Sequence, residues 1–212
     1  MKKYNYQQII SQRAVKQPNN LAYVFLNKRG EEEDQVTFKE LDERIRIVAA
    51  KLQLYSKAQD RILIVLENSI DYLIAFYACI YTNMVAVTMH TPRNTIQLVR
   101  MKNISDDCNA VCLLTNSQAL KKHNSNISSL VESQQLNLIL VDQIDGRKEK
   151  YQTPEIKHSD LALLQYTSGS TSTPKGVMVA HSHLMVQGEC LKEGFDLSNQ
   201  DVSVTWLPLS RL

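Results

Sequence analysis

The sequence predicts an α/β fold: a doubly wound, mostly parallel sheet. Three observations carry this. Residues 62–66 (Ile-Leu-Ile-Val-Leu) are apolar at every position, as in a strand covered on both faces. Further apolar runs at 85–89, 110–114 and 136–141 alternate with stretches whose apolar residues recur at helical spacing. Strands alternating with helices favour parallel pairing through right-handed crossovers.

In chain order, Tyr6, Ile9, Ile10 and Ala14 make a helical stripe that Gln17-Pro18-Asn19-Asn20 stops. Residues 21–26 and 35–37 read as a hairpin around a charged turn with Gly30 at its tip. Thr37 and Glu40 have capping-box spacing, and Leu41, Ile45, Val48, Ala49 and Leu52 form one helical face behind them. The strand at 62–66 precedes a helix capped by Asn68 or Ser69 and ending near Asn83. After the strand at 85–89, Thr91-Pro92-Arg93-Asn94 opens a helix carrying Ile96, Leu98, Val99 and Met101. The strand at 110–114 is followed by a polar helix at 117–122, a second helix at 125–135 and the strand at 136–141. Residues 142–160 read as a surface connection back to the sheet. A strand begins at Leu161, a helix runs from Ala180 to Glu193, and alternating Val202, Val204 and Trp206 suggest a last strand.

Composition narrows the function classes. A chain of 212 residues with 43% hydrophobic and 22% charged residues can build a sizeable core. A net charge of +2 makes no electrostatic case for a nucleic-acid partner. The longest apolar stretch, 62–87, is interrupted by Glu67, Asn68 and Asp71, so a transmembrane span is not expected. No apolar segment follows Met1-Lys2-Lys3, and a cytoplasmic location is expected. Cys108 and Cys112 lack neighbouring ligands and read as buried thiols, so no metal site is expected.

The stretch richest in chemistry is 166–176, Y-T-S-G-S-T-S-T-P-K-G. Thr167, Ser168, Ser170, Thr171, Ser172 and Thr173 surround Gly169, with Pro174-Lys175-Gly176 behind them. Backbone N–H groups, hydroxyls and one ammonium, with no carboxylate among them, suit a polyphosphate. As residues alone, the same run also reads as a solvated linker. A Walker A loop is excluded, because Pro174 precedes Lys175 and Gly176 stands where a Ser/Thr would hold Mg²⁺.

This segment resembles the phosphate-binding signature T-S-G-S-T-G-x-P-K-G of the adenylate-forming superfamily, which includes acyl-CoA synthetases, fatty-acyl-AMP ligases and peptide-synthetase adenylation domains. The match covers Thr167, Ser168, Gly169, Ser170, Thr171, Pro174, Lys175 and Gly176. It departs at Ser172, where the family has glycine. A positive φ there would strain serine by about 1–2 kcal/mol. Arg61-Ile62-Leu63-Ile64-Val65, Asp71-Tyr72-Leu73-Ile74-Ala75-Phe76, Val85-Ala86-Val87, Thr91-Pro92-Arg93 and Trp206-Leu207-Pro208-Leu209 are similar to fatty-acyl-AMP ligase segments in the same order.

The resemblance implies the N-terminal part of an adenylate-forming large domain over 1–212, with the C-terminal domain absent. It implies ATP and Mg²⁺ as cofactors and a fatty acid as substrate, activated to an acyl-adenylate with release of pyrophosphate. Implied partners are coenzyme A or an acyl carrier protein, and a separately encoded C-terminal part. Thr167, Ser168, Gly169, Ser170, Thr171, Ser172, Thr173, Lys175 and Gly176 would hold the nucleotide. The family's later motifs, including its catalytic lysine, have no counterpart here, so no catalytic residue is assigned and activity alone is not expected. A non-catalytic nucleotide-binding or interaction module is the alternative. His181 and His183 read as solvated helix-start residues, Trp206 as packing, and Glu67 and Asp71 as a solvated cap. Arg93 is left open between a surface and a functional role.

Overall fold

The computed structural model describes residues 5–145, 147, 150–167 and 174–209. A small antiparallel hairpin, β1 (Leu21–Leu26) with β2 (Glu32–Thr37), stands beside a six-stranded sheet. That sheet contains β3 (Arg61–Val65), β4 (Val85–Met89), β5 (Ala110–Thr115), β6 (Asn137–Leu140), β7 (Leu161–Thr167) and β8 (Lys175–Ala180). Its order is β6-β5-β3-β4-β7-β8, parallel except where β8 runs against β7.

Among the described residues the fold is completed by six helices: α1 (Tyr6–Lys16), α2 (Phe38–Leu52), α3 (Ile70–Tyr81), α4 (Thr95–Cys108), α5 (Ser117–Gln134) and α6 (His181–Gly194). The chain steps from β3 to β4 through α3, then reverses past β3 to β5 through α4 and on to β6 through α5. Crossovers of one hand must change face when the direction of travel reverses. The two cores show this. Ile62, Ile64 and Leu66 pack with α2 and α3, whereas Leu63 and Val65 pack with Met101 and Ile104 of α4 and Ile127 and Leu130 of α5. The unbroken apolar run of β3 therefore feeds two cores by its period of two.

Local chemistry sets the helix ends. Thr37 and Glu40 form the predicted capping box, and Ser69 Oγ accepts from the Tyr72 N–H at 3.2 Å. Asn94 and Asn116 cap α4 and α5 in the same way, each at 2.9 Å. Asn83 takes φ +55° after α3, and its amide donates to Asp160 at 2.8 Å. The two helices expected at 117–122 and 125–135 are both present within α5, separated by His123, whose φ −129° and ψ 31° are not helical.

The irregular connection over 141–160 carries a buried anchor. Tyr151 is 8% exposed and its hydroxyl donates to the Tyr81 carbonyl at 2.7 Å. Nearby, Asp42 accepts from the Tyr81 hydroxyl at 2.7 Å and from Arg46 at 2.6 Å. Ser11 of α1 also donates to Asp42, at 3.1 Å. This polar knot ties α1, α2, α3 and the connection together.

The strand expected at 202–206 is corrected: those residues form no strand. Val202 is 87% exposed and Val204 78%. Alternation marks a ribbon able to pair, but among the described residues no strand lies beside it.

Candidate functional site

Strand β7 ends at Thr167, on the same carboxyl side of the sheet as the ends of β3, β4 and β5. Ligands of open parallel sheets bind outside the carboxyl ends of the strands. Ser168, Gly169, Ser170, Thr171, Ser172 and Thr173 lie outside the described residues, so the structure gives the frame of this loop. Thr167 and Lys175 face each other as the last cross-strand pair of the β7–β8 hairpin, and both are exposed.

Behind them, Tyr166 pairs with Gly176. A methyl group on Gly176 would sit 3.0 Å from the Tyr166 ring, so this glycine lets the aromatic lie across the neighbouring strand. The Tyr166 hydroxyl donates to the Asp107 carboxylate of α4. Burial, followed by that carboxylate, pushes the phenol above its usual range. One strand position later, Arg100 Nη2 donates to the Thr167 carbonyl at 3.1 Å. Arg100 and Asp107 are separated by about two helical turns and so lie on one face of α4. Sequence reading missed Arg100, because its partner lies 67 residues away.

The same edge carries an exposed ion cluster. Glu67 accepts from Lys122 at 3.2 Å and lies 3.8 Å from Arg93. Exposed pairs of this kind contribute little stability. Asp71 is tied inward to Arg44 and Asn116, both at 2.9 Å, and is not a freely solvated cap. The 207–209 segment docks beside the β3–α3 turn. Its Leu209 N–H donates to Asn68 at 3.0 Å, and the Tyr72 hydroxyl donates to the Leu209 carbonyl at 3.1 Å. Burial pushes the Tyr72 phenol up to about 12.

Two expectations are corrected here. His181 is not solvated: it is 1% exposed, and its Nε2 has no hydrogen-bond partner among the described residues. Burial lowers its basicity, partly opposed by Asp160. Its N–H donates to the Asp160 carbonyl at 3.0 Å, which fixes where β8 turns into α6. His183 instead caps that helix start, accepting from the Ala180 N–H at 3.1 Å. Trp206 does not pack inward, because it is 89% exposed. Cys108 and Cys112 are buried thiols, pushed up to about 11 and about 12 by desolvation. No helix among the described residues is long and apolar enough to cross a membrane.

Compared with known proteins, the chain is 33% identical over 207 residues to the medium-chain-fatty-acid–[acyl-carrier-protein] ligase JamA of Moorena producens, covering 94% of this chain and 35% of that protein. It is 31% identical to the long-chain-fatty-acid–AMP ligase FadD32 of Mycobacterium marinum, covering 90% of this chain and 31% of the relative. The chain thus spans about a third of the length of these relatives. Among solved structures, the fatty acid AMP ligase from Legionella pneumophila superposes with a TM-score of 0.87 at 29% identity, covering 98% of this chain and 36% of that one. A Legionella fatty acyl-adenylate ligase in complex with acyl adenylate and pyrophosphate superposes at 0.86. The fold is that of the N-terminal region of adenylate-forming enzymes. With residues 10–211 matching the model of the AMP-binding enzymes, the chain belongs to that family.

Proposed function

We propose that this chain supplies the triphosphate-gripping part of a cytoplasmic fatty-acyl-adenylate-forming ligase. In the reaction, a carboxylate oxygen of the fatty acid attacks the α-phosphorus of ATP. The bond from that phosphorus to the bridging oxygen breaks, and pyrophosphate leaves. The acyl acceptor downstream is a thiol of coenzyme A or of an acyl carrier protein; the Moorena relative's name supports the carrier protein.

The observation that carries the reading is the placement of the signature's two ends. Thr167 and Lys175 are paired across the hairpin at the carboxyl edge of a parallel sheet. Between them, Ser168, Gly169, Ser170, Thr171, Ser172 and Thr173 supply amide and hydroxyl donors for the β- and γ-phosphates. Gly176 lets the hairpin close under Tyr166, and Lys175 offsets phosphate charge. Donors to charged oxygens are about twice as strong as neutral ones. Mg²⁺ binds through substrate phosphates and a few carboxylates. We propose that it arrives on the nucleotide.

No residue of this chain is assigned to the chemical step. In the family, charge on the α-phosphate is met by a lysine in a part beyond this stretch. Loss of one such donor costs about 10²–10³ in rate. Full adenylation therefore requires that polypeptide, in the same chain or a separate one.

Titration calorimetry tests the binding claim. The wild-type chain is expected to bind ATP weakly, and Lys175→Ala to abolish the heat signal. Silence from the wild type at millimolar ATP would remove the reading. Pyrophosphate exchange on adding the remaining polypeptide identifies a ligase, while binding without exchange identifies a non-catalytic nucleotide-binding module.

A further inference from the structure

We propose that Arg100 is a second cation of the polyphosphate site, held in place by the strand that feeds the loop. This deepens the functional reading above and rests on it. Three observations converge. First, Arg100 Nη2 is bonded to the Thr167 carbonyl, a neutral acceptor, which fixes the side chain without spending its charge. Second, among the described residues no carboxylate lies within ion-pair distance of Arg100 or Lys175, whereas Arg93 and Lys122 are both taken up by Glu67. Third, the Tyr166–Asp107 hydrogen bond clamps α4 to the adjacent strand position, so Arg100 is positioned from two points on one helix face.

Thr167 connects the two cations, through its carbonyl to Arg100 and across the hairpin to Lys175. Two unneutralised cations at one exposed strand end repel each other weakly in water and gain when a polyanion lies between them. A guanidinium keeps several N–H donors after giving one to a carbonyl, and its planar fork suits phosphate oxygens. The ligand class is therefore a nucleoside triphosphate or its leaving pyrophosphate. A nucleoside monophosphate does not require this residue.

The test compares Arg100→Gln, Arg100→Lys and Lys175→Ala with the wild-type chain, titrated with ATP, inorganic tripolyphosphate and AMP at two salt concentrations. Glutamine can still donate to the Thr167 carbonyl but carries no charge, so it separates bracing from ligand contact. Arg100→Gln is expected to weaken ATP and tripolyphosphate binding about fivefold, the scale of one partly exposed charged hydrogen bond. It should also flatten the salt dependence and leave AMP and the melting temperature unchanged. Arg100→Lys should retain the salt dependence. Triphosphate binding that disappears in Lys175→Ala but is unmoved in both Arg100 variants overturns the role of Arg100 alone. A wild-type chain that binds neither triphosphate overturns the functional reading and this inference with it.

Discussion

At the scale of single residues, chemistry and burial part company most clearly at His181. Its neighbours Ala180, Ser182 and His183 give no local sign of burial. The ring is enclosed because the backbone of residues 158–160 lies against the start of α6, accepting from the N–H groups of His181 and Ser182. Desolvation lowers the imidazole pKa in the folded state, so the unfolded chain binds a proton first as pH falls. This contribution to stability is complete above the ordinary histidine pKa of about 6.5 and is lost as pH drops through the depressed folded value. Thermal melts between pH 7.5 and 5 should show a declining midpoint, with a shallower decline in His181→Leu. Equal slopes in both proteins would show that the ring does not titrate with folding. At Thr167, Lys175 and Gly176 the sequence motif and the hairpin frame coincide, and Gly176 has a packing reason for its identity as well as a place in the motif.

At the scale of elements, legibility followed the source of the signal. Strand β3 and the caps of α2 and α3 could be read because apolar period and side-chain capping are local. The expected strand at 202–206 failed because pairing needs a neighbour, which alternation does not provide. The polar knot around Asp42 was invisible for the same reason: Ser11, Asp42, Tyr81 and Tyr151 are brought together from four separate segments. Arg46 stacks beside this knot, 5.4 Å from the Tyr151 ring centre. Tyr81→Phe removes the hydroxyl that donates to Asp42 and should destabilise the domain by about 1–2 kcal/mol, read from denaturant midpoints at constant m-value. A shift near zero would mean that Asp42 is satisfied by Ser11 and Arg46 without it.

At the scale of the whole molecule, the two sides of the fold differ. Helix α3 contributes nine buried residues, whereas α6 contributes only His181. Met178 is 65% exposed, Phe195 73% and Trp206 89%, and β8 carries no further strand on its outer edge among the described residues. Large apolar side chains left exposed mark an interface or an aggregation site where they form a patch, and an unpaired strand edge adds to the hazard. The chain alone should bind an apolar-surface dye and sediment as concentration-dependent oligomers. A monomer without dye binding would argue that these side chains fold back on the domain in solution.

The sequence by itself determined the α/β class, the β3-to-β6 alternation, the caps of α2 and α3 and the family signature at 167–176, because each depends on residues within a few positions of one another. Tertiary structure alone decided that Arg100 meets Thr167, that His181 is enclosed and that 202–206 has no strand beside it among the described residues. Those outcomes follow from which distant segment comes to lie alongside, and no local pattern of side chains encodes that.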